Sequence, residues 1–325
     1  MRNFLLVRPD NVEAAVNAGA GPDTAYIAGG TDLMQLMKQE VERPARLVDL
    51  DGVLPDAIEI RPEGLRIGAL ARMADVAAHP EVQRNYRALS ESLLSAASPQ
   101  IRNMGTIGGN LLQRTRCSYF RDTGFACNKR EPGSGCPAIG GDNRILAVLG
   151  VSEHCIATHP SDMPVALMAF DATVEVSGPD NANRTIPLAE LYRVPGDSPK
   201  TETTLRPGEV IVAVVVPASS AAKRSAYVKV RDRESFAFAL VSAAVGMEIA
   251  DGTIRDARVA MGGVGTMPWR MPQVEAALRG QQARPEVFAA AASRASEGAR
   301  AASGNGFKLR LMQRVAERAL QSVAV

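Results

Sequence analysis

Short apolar runs alternate with polar or glycine breaks along most of the chain, and the period of each run predicts its element. Val12 to Ala18, opened by Asp10 and Asn11, predicts a helix; Thr24 to Ala28 predicts a short strand broken by Gly29-Gly30. A helix is expected from Asp32 to about Gln39, and short strands at Val48 to Leu50 and Leu65 to Leu70. The stretch Ala71 to Ala97 reads as mostly helical, interrupted at His79-Pro80, and Pro99 closes it. Strands return at Ala172 to Ser177 and at Val210 to Val216, the latter ended by Pro217. Further strands are expected at Ala226 to Val230, Ala239 to Ile249 and Arg258 to Met261, with alanine-rich helices from Gln273 onward. The last helix, about Lys308 to Val323, carries Leu309, Leu311, Met312, Val315, Leu320 and Val323 on or near one face, as a packing helix does. No internal repeat is present.

Two stretches depart from this alternation. Residues 218–223 are small, polar and basic, which predicts a linker. Residues 113–161 hold four cysteines, six glycines, three prolines and many charges. Such a composition is not expected to build its own apolar core, and it predicts a loop that needs a clamp.

Composition narrows the classes. With 325 residues and 46% hydrophobic content the chain can fill a large core or two domains. The 37 Lys+Arg against 35 Asp+Glu leave a net charge of +2, too little to hold the chain on nucleic acid by phosphate neutralisation. Aromatic residues make up 4%, with Trp269 the single tryptophan, so stacking platforms for bases have little to draw on. The opening Met-Arg-Asn-Phe-Leu-Leu-Val-Arg-Pro-Asp lacks the apolar core and cleavage site of a signal peptide. No stretch approaches the roughly 18 uncharged apolar residues of a membrane span. The chain therefore reads as folded in a reducing compartment, where clustered thiols more often hold a metal than each other.

Two glycine-rich turns carry the first candidate chemistry. Ile27-Ala-Gly-Gly-Thr-Asp32 sits between a strand and a helix, where glycine lets the backbone approach an anion and the Thr31 hydroxyl adds a donor. The pattern is neither a Walker loop nor a G-x-G-x-x-G fingerprint. Gly105-Thr-Ile-Gly-Gly-Asn110 lies about 75 residues further on; the two turns read either as closing on opposite sides of one phosphate-bearing ligand or as unrelated tight turns.

Together with their flanks these turns resemble a known family. Ala28-Gly-Gly-Thr-Asp-Leu33, Gly105-Thr-Ile-Gly-Gly-Asn-Leu111, Ser161-Asp-Met-Pro-Val-Ala-Leu167, Lys229-Val-Arg-Asp-Arg-Glu-Ser-Phe236 and Ala239-Leu-Val241 resemble, in order, the motif series of the FAD-binding subunit of molybdenum hydroxylases. That group includes xanthine dehydrogenase, carbon monoxide dehydrogenase and aldehyde oxidoreductases. The resemblance implies an α+β fold: a PCMH-type FAD-binding domain in two lobes, then a smaller CO-dehydrogenase-flavoprotein-like domain. The boundaries expected are 1–217, with an insertion at about 113–161, and 218–325.

It also implies an FAD site formed by Tyr26, Ile27, Ala28, Gly29, Gly30, Thr31, Asp32, Leu33, Thr106, Gly108, Gly109 and Asn110. Asp162 is implied as a ligand of the ribityl or ribose hydroxyls, with a helix N-cap as its competing role. Lys229 is implied beside the flavin, where it would stabilise negative charge on reduction; an exposed strand lysine is the competing reading.

Cys117, Cys127, Cys136 and Cys155 follow a C-x9-C-x8-C-x18-C spacing that matches neither the close pairs of zinc modules nor bacterial ferredoxins. Thiolate count alone allows zinc or a [4Fe-4S] cluster, with disulfides behind both. The resemblance favours [4Fe-4S], since the insertion is similar to the iron–sulfur loop of the flavin subunit of bacterial periplasmic-type aldehyde oxidoreductase. Arg114, Arg116, Lys129 and Arg130 are placed to offset the cluster's negative charge. His154 and His159 flank a site that four cysteines already complete and read as supporting or surface groups, and His79 as structural.

The function so implied is electron transfer within a larger enzyme. A partner bearing the molybdenum cofactor would oxidise an aldehyde, a second partner with [2Fe-2S] clusters would relay the electrons, and FAD here would pass them to an external acceptor. The alternative is a zinc-binding assembly subunit without flavin. With no signal peptide of its own, the chain would be cytoplasmic, or periplasmic by co-export with a signal-bearing partner.

Overall fold

The computed structural model describes residues 1–324 and places twelve strands in three sheets. β1 (Leu5–Val7), β2 (Thr24–Ile27) and β3 (Arg46–Asp49) form a parallel sheet in the order β1-β3-β2, with the helix Val12–Gly19 as the crossover. β4 (Ile58–Arg61), β5 (Gly64–Gly68), β6 (Thr173–Ser177), β7 (Arg184–Pro187) and β8 (Val210–Pro217) form an antiparallel sheet in the order β4-β5-β8-β6-β7. β9 (Ser225–Val230), β10 (Val241–Ala250), β11 (Thr253–Gly262) and β12 (Trp269–Arg270) form a second antiparallel sheet, in the order β12-β11-β10-β9.

The third sheet is covered on both faces, and strand alternation explains how. On β10, Ala243, Val245 and Met247 pack with β11 residues Ala257, Val259 and Met261 against the helices Pro272–Leu278, Pro285–Ala292 and Phe307–Ala324. Ala244 and Ala260 point the other way, into the core shared by the first two sheets and the helices Arg87–Ser95 and Met163–Ala169. The terminal helix buries Met312, Val315, Ala319, Leu320 and Val323, so the apolar stripe is a packing face, as its spacing predicts.

One sequence expectation gains detail and two change. The stretch read as mostly helical is three short helices, Met73–Ala78, Pro80–Asn85 and Arg87–Ser95, and His79 caps the second by accepting Glu81 N–H at 3.3 Å. Residues 218–223 are not an open linker: Ser220–Lys223 is a helical turn with Ala221 and Ala222 buried against β10. Gly246 leaves no room for a side chain there, since a Cβ would lie 2.3 Å from Ala221 O.

The cysteine-bearing segment also builds a small core of its own. Phe120, Leu146 and Ile156 pack with Cys117, Cys127 and Cys155 and with Leu36 from the helix Leu33–Lys38. Buried thiols behave as small apolar groups, so the cysteines add to the apolar surface that Phe120, Leu146 and Ile156 supply.

Candidate functional site

The first glycine turn follows β2 directly, and two steric facts fix it. Gly30 sits at φ +68°, in the left-handed region that favours glycine. A Cβ on Gly29 would stand 2.0 Å from Met104 O, so only glycine lets this turn approach the segment leading into the second one. Among the described residues, the backbone N–H groups of Gly29, Gly30, Thr31 and Asp32 donate to no protein acceptor. They line a cavity of about 860 Å³, and consecutive unpaired amides of this kind suit an anionic group such as a pyrophosphate.

The second turn is built differently. Thr106 caps the helix Ile107–Leu111 by accepting Gly109 N–H at 3.3 Å, Gly108 N donates to Ala69 O at 2.9 Å, and Asn110 N to Thr106 O at 2.8 Å. Five of its six amides are therefore satisfied within the protein, and among the described residues the N–H of Thr106 is the one without a protein acceptor. The first turn thus presents four consecutive unpaired donors and the second turn one, Thr106 N–H, with the rest of its backbone forming wall and support.

The cavity gathers most of the sequence-derived residues. Tyr26 to Leu33, Thr106, Gly108, Gly109, Asn110 and Asp162 all line it, and Lys229 does not. Tyr26 is anchored by its hydroxyl, which donates to Gly208 O at 2.8 Å, and burial pushes that phenol up to about 12. Asn110 Oδ1 accepts from Ser161 Oγ at 2.5 Å, which joins the second turn to the Ser161-Asp162 segment.

Asp162 occupies the N-cap position of Met163–Ala169, yet its side chain makes no capping bond. Both its oxygens are taken instead by β9: Tyr227 Oη donates at 2.6 Å and Lys229 Nζ at 2.7 Å. Lys229 also donates to Ser95 O at 3.0 Å, and the ion pair is buried, with 3% and 5% side-chain exposure. The exposed-lysine reading is thus corrected, because period 2 along β9 turns Lys229 inward to meet a carboxylate. Burial raises the Asp162 carboxyl above the ordinary carboxylate range despite the lysine beside it.

A smaller cavity lies next door, lined by Cys117, Cys127, Cys136 and Cys155 together with Lys129 and His154. Cys117 lines both cavities, so it forms the partition between them. Burial pushes the Cys117 thiol up to about 11 and also raises Cys136 and Cys155; Lys129 opposes the rise at Cys155. None of the four forms a disulfide. Among the described residues no three His, Cys, Asp or Glu groups are placed to hold a single metal ion.

The basic residues of the loop take different parts from those expected. Arg114 pairs with Glu42 and Glu202, and Arg116 with Asp32 at 2.8 Å, so their charges are compensated. Arg130 donates to Tyr119 O at 2.7 Å and Phe120 O at 2.6 Å and ties the loop together. Lys129 is the one of the four that reaches the cysteine cavity, although it also meets Glu202 Oε1 at 2.7 Å. Of the histidines, His154 is exposed and faces Asp197 at 3.4 Å, whereas His159 lines the large cavity and burial holds it down to about 4.

Sequence reasoning missed the cavity's aromatic wall. Phe236 and Phe238 line it while staying about half exposed, and Arg116 stacks over Phe238 at 5.0 Å. Phe236 sits at φ +51°, uncommon for a bulky residue. Two phenylalanines in the polar run Arg231-Asp-Arg-Glu-Ser-Phe-Ala-Phe238 were the available signal.

Residues 2–219 match the FAD binding domain in molybdopterin dehydrogenase, and residues 225–323 match the CO dehydrogenase flavoprotein C-terminal domain. The chain belongs to the FAD-binding subunits of the molybdopterin dehydrogenase family. These subunits are parts of molybdenum hydroxylases, so the chain is the FAD subunit of an oxidoreductase complex. It is 51% identical to the aldehyde oxidoreductase FAD-binding subunit PaoB of Escherichia coli (strain K12) over 304 residues, 93% of this chain and 92% of that protein. It is 25% identical to the glyceraldehyde dehydrogenase medium chain of Sulfolobus acidocaldarius, across 90% of this chain and 87% of that one. Carbon monoxide dehydrogenase from Hydrogenophaga pseudoflava, solved without the Mo-pyranopterin moiety, superposes with a TM-score of 0.75 at 26% identity, across 99% of this chain and 97% of that one. The PCMH-type FAD domain and CO-dehydrogenase-flavoprotein-like domain expected from the motif series are the fold this FAD subunit has. No helix among its described residues is long and apolar enough to cross a membrane.

Proposed function

We propose that this FAD subunit serves a molybdenum-dependent aldehyde oxidoreductase, taking electrons from [2Fe-2S] clusters of one partner while another, bearing the molybdenum cofactor, oxidises the aldehyde. Bound FAD supplies the conversion of single electrons into pairs for delivery to an external acceptor. The observation that carries the aldehyde reading is the 51% identity, across nine-tenths of both chains, to a subunit of an aldehyde oxidoreductase.

Within that reading the residues have distinct tasks. The free amides of Gly29 to Asp32 receive the pyrophosphate, Thr106, Gly108, Gly109 and Asn110 shape the wall opposite, and Ile27, Ala28 and Leu33 exclude water. Asp162, oriented by Tyr227 and Lys229, has lone pairs left to accept from cofactor hydroxyls. Lys229 acts through Asp162. Cys117, Cys127, Cys136 and Cys155 hold a [4Fe-4S] cluster, and the support for this is their common cavity and the place of Cys117 in the wall of the larger one. We assign 1–217 to the FAD domain, about 113–161 to its iron–sulfur insertion and 218–325 to the C-terminal domain. The assembled complex works in the cytoplasm, or in the periplasm if a signal-bearing partner exports it folded.

Purification of the tagged chain from its host tests this reading. Flavin absorbance with a broad brown shoulder, about four irons per chain and co-elution of a molybdenum subunit are expected; a colourless protein with stoichiometric zinc would overturn it. Fractionating the same cells locates the complex.

A further inference from the structure

We infer that Asp32 is the tie by which the cysteine loop holds the first glycine turn in register, so that FAD affinity depends on the integrity of a loop that does not itself form the turn. The inference rests on the FAD and iron–sulfur reading above and adds a positioning residue to it.

Asp32 ends the glycine turn and occupies the N-cap position of Leu33–Lys38, where an aspartate ordinarily bonds its own helix. It makes no such bond. Its carboxylate turns to the segment 114–121 instead: Oδ2 accepts from Arg114 N at 2.7 Å, and Oδ1 faces Arg121 Nη2 and Arg116 Nη1, both at 2.8 Å. Arg121 closes the knot on its own side, donating from Nε to Thr115 O at 2.9 Å and from Nη2 to Arg114 O at 3.2 Å. Cys117 lies inside this knot.

Two quantities decide between a tie and a cofactor ligand. A carboxylate has about four acceptor sites, and three are engaged by the loop, which leaves at most one for a ligand. The Asp32, Arg116 and Arg121 side chains are also mostly buried, at 15%, 21% and 11% exposure, so solvent cannot replace the contacts cheaply. Because the free amides of Gly29 to Asp32 are consecutive with the tied carboxylate, a displaced loop moves the donors that would meet the pyrophosphate. Preorganised donors bind more tightly than donors that must be ordered on binding.

The test is a double-mutant cycle on the full chain, with FAD dissociation constants from flavin fluorescence and iron content read on the same samples. Cys136→Ser is expected to remove iron and weaken FAD binding by about tenfold. Asp32→Asn is expected to weaken it similarly. In the Asp32→Asn background the effect of Cys136→Ser should fall below about twofold. Arg121→Met touches no thiol and serves if Cys136→Ser fails to fold; it should retain iron, weaken FAD binding, and add little on top of Asp32→Asn. Effects that multiply, as for an independent cofactor ligand, would overturn the tie, and so would unchanged FAD binding in Cys136→Ser or Arg121→Met. A wild-type chain that binds no FAD defeats the functional reading and the tie together. One that binds FAD but no iron defeats only the cluster, and the cycle between Arg121 and Asp32 then decides the tie.

Discussion

The two glycine turns look alike in sequence and do opposite things. Gly29-Gly30 leaves four consecutive amides without protein acceptors, whereas Gly105–Asn110 spends five of its six amides on Ile101, Ala69, Ala71 and Thr106. The difference arises at the residue before each glycine pair. Ala28 is a bend just past the end of β2, while Ile107 begins a helix that Thr106 has already capped. Glycine is needed at both for closeness: Gly29 passes Met104 O, and Gly108 passes Ala69, where a Cβ would come within 3.0 Å. A glycine-rich motif therefore signals close approach, and whether the approach serves a ligand or a neighbouring strand depends on where the N–H groups go.

Gly29→Ala should break this contrast most severely. The added carbon would meet a backbone carbonyl at 2.0 Å, so the turn itself must move. FAD affinity should fall by at least about 100-fold, equivalent to ~2.7 kcal/mol, measured by fluorescence titration. A loss under tenfold would show that the free amides are not the main anchor.

Lys229→Met comes next and acts behind the wall. It leaves Asp162 buried with Tyr227 as its one remaining donor, and removing one member of a buried pair costs about 3–5 kcal/mol. Chemical denaturation should show that loss. Since Asp162 is joined to the second turn through Ser161 and Asn110, FAD affinity should drop by about tenfold, less than for Gly29→Ala. Unchanged stability would mean that Asp162 takes up a proton and stays neutral when the lysine is absent.

Gly108→Ala probes the second turn. The clash is with the Ala69 side chain at 3.0 Å and backbone at 3.3 Å, where a shift of a few tenths of an ångström suffices. Overpacking of this size costs about 1–3 kcal/mol, and FAD affinity should change by less than about tenfold. If Gly108→Ala weakened FAD as much as Gly29→Ala, the two turns would share one task.

Local pattern made the architecture legible and long-range pairing hid the rest. Gly29-Gly30 after a strand, the apolar stripe from Lys308 to Val323 and the cysteine cluster are each visible within a short window. The partners of Asp32 lie 82 to 89 residues away, and Lys229 meets Asp162 across 67, so neither pairing leaves a local trace. Strands β4 and β7 were not anticipated because they are four-residue edge strands, too short for period 2 to stand out from the surrounding sequence. The helical turn within 218–223 was hidden by small residues, whose burial depends on what lies opposite; here that is Gly246.

Thr106→Ala has the smallest expected effect and separates the turns most cleanly. Thr106 is 2% exposed, and its hydroxyl caps Ile107–Leu111 through Gly109 N–H. Loss of a threonine cap costs about 1 kcal/mol, a shift of a few degrees in thermal midpoint for a chain of this size. The freed Gly109 amide would then face the cavity as a new unpaired donor, the condition that already holds at Gly29 to Asp32. FAD affinity should therefore hold within about twofold while apo stability falls. A measured gain in affinity would show that the capped turn withholds a donor the cofactor can use, and that the contrast between the two turns is set by one hydroxyl.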